Sequence, residues 1–226
     1  MPTSIEFKNI SKRSNQVLLA SYIAIASLLA LQIATLFELS LLEDIKRGNY
    51  NSLEQLDSRI ANNDLWIEIL NLASALAFIF YIVLFFMWIY RTNSNSHTFT
   101  QGKIRHTPGW SVGWFFIPIA NLWKSYKIPA EIWKASKLGP DYNHTHTTPL
   151  FLKLWWVAWI ADNLFSQISL RITDSAVEPH ELINADRILF SSNIVSIISI
   201  ILTIKMVKEI NLLQENQSNP ISEVFA

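Results

Sequence analysis

Ionisable and amide side chains occur inside stretches of this 226-residue chain that are otherwise apolar. Asp162 and Asn163 stand near the middle of such a stretch at 150–172, and Arg171 follows near its end. An ionisable group at bilayer depth costs about 2.5–3.5 kcal/mol unless it faces water or a partner. We therefore expect a polar site in the outer half of a membrane, with Arg171 as the counter-charge. Its members would be Glu68, Asn71, Asp162, Asn163, Arg171 and Asn193.

Two interpretations of this polar site are open. The side chains could form hydrogen bonds between helices, which stabilise a membrane bundle by about 0.6–2 kcal/mol per contact. They could instead line a path for a solute or for protons, which would make the protein a small transporter or permeation subunit built around Asp162. The two interpretations differ in whether Asp162 is needed for transport or only for packing.

The usual signatures of enzymes and cofactor sites are missing from the sequence. It contains no Gly-rich phosphate loop, no Gly-x-Ser-x-Gly turn and no paired carboxylates. It has no cysteine, and its one His-x-His run, at 144–146, is a weak zinc signal in a polar loop. We expect no cofactor and no metal, and an intramembrane lipid-modifying enzyme remains an alternative. The 18 basic and 18 acidic residues balance, which argues against nucleic acid as a partner.

Lysine and glutamate recur at helical spacing within residues 108–136, here called the central segment. One helical face would carry Lys124, Lys127, Glu131 and Lys134, and the other Ile119, Leu122, Trp123, Tyr126, Ala130 and Trp133. A basic face opposite an aromatic one is typical of a helix that lies in the membrane interface. Each lysine near an anionic leaflet contributes about 1 kcal/mol. The alternative is a loop helix that only caps a bundle.

Prolines divide the central segment into two parts. Residues 109–118 are strongly apolar but number only about ten, which is too few to cross a bilayer. We therefore expect this part to be interfacial or re-entrant, with Pro118 starting the amphipathic helix. Pro129 lacks a backbone N–H, so it predicts a kink or a split in that helix.

Four long apolar runs supply the elements that would position these residues. They occupy about 17–42, 65–90, 150–172 and 188–206, and mean hydropathy of the chain is +0.24. Each is long enough to span a membrane as a helix. The sequence therefore predicts an all-α membrane protein, a four-helix transmembrane bundle forming one domain over residues 1–226. Residues 43–64 would be an aqueous loop with room for a short helix, residues 92–107 a polar connection, and the tail after Asn211 would be polar and frayed.

The distribution of Lys and Arg predicts the orientation of the chain. With the N-terminus inside, thirteen basic residues fall on the cytoplasmic side and five on the other. Basic loops favour the cytoplasm. Both termini and the central segment are therefore expected to be cytoplasmic.

The order of aromatic residues and prolines resembles a known family. The residues concerned are Trp88 and Arg91, Pro108-Gly109-Trp110, Trp114-Phe115-Phe116, Pro118, Ala120-Asn121-Leu122-Trp123, Glu131-Ile132-Trp133-Lys134-Ala135-Ser136 and Trp155-Trp156-Val157-Ala158-Trp159. Over about 65–210 the chain resembles the bacterial membrane proteins of the domain-of-unknown-function 4328 family. Ser125 departs from the pattern, since the family usually has proline there. The resemblance implies a bacterial cytoplasmic membrane location and supplies no activity.

We expect a non-enzymatic membrane module whose central segment engages membrane lipids, a partner protein or a second copy of the chain. The residues expected to matter are Arg91, Pro108, Gly109, Trp110, Trp114, Pro118, Asn121, Trp123, Lys124, Lys127, Glu131 and Trp133.

Overall fold

The computed structural model describes residues 7–144, 147–175 and 179–218, and in these ranges the chain is helical without a strand. The α-helices are α1 (Ser11–Arg47), α2 (Leu53–Phe99), α3 (Pro108–Gly113), α4 (Pro118–Leu138), α5 (Leu150–Ser175) and α6 (Pro179–Ser218). Short 3-10 helices occupy Trp114–Phe116 and Gly139–His144. The expected all-α fold is confirmed.

Three helices are long and apolar enough to cross a membrane: α1, α2 and α6. Helix α5 has 26 residues and is about 39 Å long at 1.5 Å per residue, which is also sufficient. Its apolar run is interrupted by Asp162, Asn163 and Gln167, and it does not reach the hydropathy of the other three. The structure thus supports three candidate spans, and the fourth stays a prediction.

The long helices extend well beyond the apolar runs, and the predicted loops shrink. The loop expected at 43–64 is reduced to residues 48–52, because α1 continues to Arg47 and α2 already begins at Leu53. Gly48 supplies the turn with a φ of +66°, a conformation in which glycine is unstrained.

Polar residues at 92–99 continue α2 rather than form the expected loop. The hydroxyls of Thr92, Ser96 and Thr100 each donate to the carbonyl four residues earlier, at 3.0, 2.9 and 2.7 Å. These three side chains therefore satisfy their hydrogen bonds within the helix, and all three are fully buried. The prediction of a loop here was wrong because polarity was read as exposure.

The tail expected to be frayed after Asn211 is instead helical as far as Ser218, where α6 ends, and residues 219–226 lie outside the described part of the chain. Gln214 is fully buried and its Nε2 donates to the Thr92 carbonyl at 2.9 Å and to Ser136 Oγ at 3.0 Å. Its Oε1 accepts from Asn95 Nδ2 at 3.0 Å. One amide thus links α2, α4 and α6.

The chain forms two compact units. The first unit contains Met1–Ser21, Tyr81–Val157 and Ile201–Ala226, and the second contains Tyr22–Phe80 and Ala158–Ile200. In the first unit, the Tyr81 hydroxyl and the Trp155 indole both donate to Thr203 Oγ1, at 2.9 and 2.8 Å. In the second, Gln32 donates to the Phe190 carbonyl at 2.9 Å. The single membrane domain over 1–226 stays a prediction.

Candidate functional site

Two prolines start the helices of the central segment. Pro108 begins α3, and the Thr107 side chain accepts from the Trp110 N–H at 3.4 Å. Pro118 begins α4, as expected, because the first helical position needs no N–H donor. Helix α4 then runs as one element through Pro129 to Leu138, so of the two expected effects of this proline, a kink or a split, the split does not occur.

Aromatic contacts hold the first half of the central segment in the first unit. The rings of Phe115 and Phe116 lie 5.2 and 5.3 Å from that of Phe86 in α2. Trp110 packs on Trp114 at 5.0 Å. The Trp156 indole donates to the Leu122 carbonyl at 2.7 Å. The segment is therefore anchored on both α2 and α5.

Several large apolar side chains of this half are nevertheless exposed, and we call them the apolar edge. Their exposed fractions run from 38% at Ile117 to 72% at Ile119. The apolar edge comprises Trp110, Phe116, Ile117, Ile119, Leu122 and Trp123. The exposed apolar surface of the central segment thus lies between residues 110 and 123.

The second half of α4 is buried on every side, from Ile128 to Trp133. Trp133, expected beside Trp123 on the membrane-facing side, is 8% exposed and its indole donates to Glu209 Oε1 at 2.7 Å. The Lys137 ammonium lies 4.9 Å from its ring centre. The expectation for Trp133 was wrong, because α6 extends further than predicted and supplies Glu209.

A buried cluster of Lys124, His106 and Glu131 lies in the same unit. His106 Nδ1 is 2.6 Å from Glu131 Oε2, and Lys124 Nζ is 2.9 Å from His106 Nε2. Glu131 Oε1 also accepts from the Arg105 backbone N–H at 3.0 Å. The side chains of His106 and Glu131 are 11% and 10% exposed.

This geometry assigns roles to the three groups. An ammonium at Lys124 can only donate, so Nε2 of His106 accepts and the imidazole proton lies on Nδ1, which donates to Glu131. The imidazole thus bridges the side chains of Lys124 and Glu131. Lys124 also lies 4.7 Å from the ring centre of Trp114, which stabilises its charge. The cluster can hold a buried charge pair, and both ring nitrogens are occupied.

The sequence pattern placed Lys124 and Glu131 together on the basic face of the amphipathic helix and connected neither of them with His106. The structure instead joins the two through His106, which lies 18 and 25 residues away along the chain. Helical spacing cannot signal such a contact. The one available signal was that His106 directly precedes the motif.

A cavity of about 330 Å³ opens beside this cluster. Basic side chains of Arg105, Lys127 and Lys134 line it together with Tyr126, Tyr142, Asn143 and Thr148. Tyr142 donates to the Lys103 carbonyl at 2.7 Å, and burial raises the pKa of its phenol, which keeps the donor protonated. Because three basic side chains line the cavity against the one carboxylate of Glu131, its lining favours anions.

The remaining motif residues are also placed in the first unit. Arg91 and Gly109 line a groove of about 540 Å³ with Arg13 of α1. The side-chain oxygen of Asn121 is buried and has no hydrogen-bond donor among the described residues.

The polar site predicted around Asp162 is only partly assembled. In the second unit, Asp162 Oδ1 accepts from Ser192 at 2.9 Å and from Ser196 at 2.5 Å. Asn193 donates to Gln32 Oε1 at 3.2 Å. These contacts join helices, as the packing interpretation expects.

The other predicted members of that polar site are exposed and lie apart from Asp162. They are Glu68, Asn71, Asn163 and Arg171. Asn163 donates to the Trp159 carbonyl of its own helix at 2.7 Å. Asp162 and Arg171 form no ion pair, although both are among the described residues, so the expected counter-charge is not there.

Metal-ligating groups do not converge in the described part of the chain. No three His, Asp or Glu side chains lie close enough there to hold an ion. His144 is exposed and 3.8 Å from Asp141, and His146 lies outside the described residues.

The comparisons with known proteins bear on the chain as a whole. A family model described as "Domain of unknown function (DUF4328)" matches residues 53–212, which is well over half of the chain. No curated protein and no solved structure matches it. The aromatic and proline residues that suggested this resemblance lie within the matched region, and the chain belongs to the DUF4328 family.

Proposed function

We propose that the chain is a multi-pass membrane protein whose central segment binds lipid at the membrane interface. Helix α5 would be the fourth span beside α1, α2 and α6, with both termini and the central segment on the cytoplasmic side of a bacterial cytoplasmic membrane. The observation that carries the proposal is the apolar edge. It is exposed although the residues that follow in α4 are buried.

Energetics favour a lipid environment for the apolar edge. Each large apolar side chain that moves fully out of water gains about 1.5–3 kcal/mol. Phe116 and Ile119, at 69% and 72% exposure, keep most of their surface uncovered by the protein. A helix with an apolar face and nearby basic groups lies with its apolar side about 5–10 Å into the interface.

The charges near the apolar edge favour anionic headgroups over a neutral partner. Arg105 and Lys127 are exposed, and together with Lys134 they line the cavity beside α4. Basic residues at an anionic leaflet contribute about 1 kcal/mol each. A partner protein or a second copy could also cover the apolar edge, but it would not need this concentration of positive charge.

A binding role also fits the buried cluster better than catalysis does. Both imidazole nitrogens of His106 already have partners in Glu131 and Lys124. A general base needs a free nitrogen within reach of the proton that it takes. The cluster therefore fixes the middle of α4 against the preceding loop.

Photocrosslinking with a phospholipid that carries a diazirine near its glycerol would test the proposal. The purified protein is placed in vesicles that contain this lipid, irradiated, and digested for peptide mass spectrometry. We expect adducts on residues 110–123 and none on the buried stretch 128–133. Exchanging Ile119 and Trp123 for serine should lower the adduct yield in the central segment several-fold. Adducts on the long helices but none on 110–123 would refute the proposal.

A further inference from the structure

The groove lined by Arg13 and Arg91 has the composition of a lipid site rather than of a protein contact. Its volume is about 540 Å³, within the range of small-ligand sites. The two arginines come from α1 and α2, while Phe86, Met87 and Val112 supply apolar surface. All of these residues belong to the first unit.

The charge in this groove is not compensated by the protein. Arg13 and Arg91 are both half-buried. Neither forms an ion pair with a carboxylate in the part of the chain that the structure describes. Arg13 donates to Gln16 Oε1 at 3.1 Å, which is a neutral partner. Two partly desolvated guanidinium groups without a counter-charge favour an anion.

The position of the two arginines along the chain points to a membrane lipid as the source of that anion. Arg13 precedes the first apolar run by four residues, and Arg91 directly follows the second. With the N-terminus inside, both mark the same boundary of the bilayer, where phosphodiesters lie. One guanidinium group can donate two parallel hydrogen bonds to two oxygens of such a phosphate.

Gly109 also lines the groove and has no side chain to fill it. A Cβ at this position would meet no atom within 4 Å, and the backbone is not in the left-handed region. A larger side chain there can therefore enter the groove without strain in α3. This makes it possible to block the groove and leave both arginines in place.

We propose that this groove binds one anionic phospholipid of the cytoplasmic leaflet, with its phosphate between Arg13 and Arg91 and an acyl chain along Phe86 and Met87. The inference rests on the proposed function, because it assigns a lipid class and a site to the same interface. Basic pockets beside cytoplasmic ends of membrane helices bind acidic headgroups in this way.

Native mass spectrometry of the full-length protein, with equal amounts of phosphatidylglycerol and phosphatidylcholine in the micelle, tests this inference. We expect the wild type to keep one phosphatidylglycerol in preference to phosphatidylcholine. Arg13→Gln and Arg91→Gln should each reduce this preference roughly fivefold. Lys12→Gln removes the same charge from an exposed position that does not line the groove, and should reduce the preference less than either arginine variant does.

Blocking variants separate the groove from general charge effects. Gly109→Phe should abolish the preference, whereas Gly109→Ala should keep it. Elution volume and thermal unfolding report folding of each variant, and Gly109→Phe decides the matter if Arg91→Gln does not fold. Unchanged preference in both arginine variants, or in Gly109→Phe, overturns the inference, as does an equal loss in Lys12→Gln. Failure of the proposed function would appear separately, as missing adducts on residues 110–123.

Discussion

Glu131 in the first unit and Asp162 in the second are both carboxyl groups that accept hydrogen bonds from other elements, and their partners differ in kind. Glu131 in the first unit accepts from an imidazole that is itself bonded to a lysine, and from a backbone N–H. Among the described residues, the Asp162 carboxyl in the second unit accepts from the hydroxyls of Ser192 and Ser196.

Because the partners differ, removal of Glu131 and removal of Asp162 should change the stability of the protein by different amounts. Removing Glu131 leaves His106 without its acceptor, and no other carboxylate lines the cavity beside it. Removing Asp162 leaves two hydroxyls, and serine hydroxyls within a helix can turn back to a carbonyl of their own helix. The first cluster should therefore hold its unit together strongly, and the second should contribute little.

The largest effect is expected for Glu131→Ala. Removing one partner of a buried ionic cluster lowers the free energy of unfolding by about 3–5 kcal/mol, because the remaining groups stay buried without that partner. The free energy of unfolding, measured by equilibrium denaturation in bicelles, should fall by about 3 kcal/mol. Glu131→Gln, which keeps an acceptor for His106, should lose less than half as much. A loss below 1 kcal/mol for Glu131→Ala would remove the contrast between the units.

Tryptophan replacements should give the next largest effect, and their effects should differ between the two halves of α4. Trp133→Phe deletes a donor to the carboxylate of Glu209, and hydrogen bonds to charged groups contribute about 1.5–3 kcal/mol. Trp123→Phe alters an exposed ring and should change the free energy of unfolding by about 0.5 kcal/mol or less. The same denaturation measurement compares the two variants, and equal losses would show that the apolar edge is packed against protein.

The smallest effect is expected for Asp162→Asn. The amide oxygen can still accept from Ser192 and Ser196, so the loss should be about 0.6 kcal/mol, the average for a hydrogen bond between membrane helices. Proton flux into vesicles that contain the variant should equal that of the wild type. If the flux of the wild type is measurable and the variant abolishes it, Asp162 belongs to a permeation path and the packing interpretation fails.

Sequence patterns predicted the features that depend on local chemistry. The apolar runs predicted long helices, Pro118 predicted the start of α4, and the order of aromatic residues indicated the family. The patterns failed where burial depends on distant elements. Trp123 and Trp133 look alike on a helical face, and only the extension of α6 to Glu209 separates them.

The failures at helix ends have a related cause. The many hydroxyl and amide side chains near 92–100 make this segment polar, and polar segments between apolar runs are usually exposed loops. In the structure the hydroxyls of Thr92, Ser96 and Thr100 donate to carbonyls within α2, and Asn95 donates to Gln214, so the helix continues and these residues are buried. Similarly, no spacing rule links His106 to Lys124 and Glu131. His106 lies in the loop before α3, and the contact exists only because this loop packs against α4 in the tertiary structure.

The depth of the apolar edge in a bilayer tests the central claim most directly. The chain has no cysteine, so a single cysteine can be placed at Ile119 or at Lys127 and labelled with a fluorophore. In vesicles with brominated lipids, we predict strong quenching at position 119, at a depth of about 5–10 Å, and little quenching at position 127. A label at position 119 that iodide quenches from the water, and that brominated lipid does not, would contradict the account.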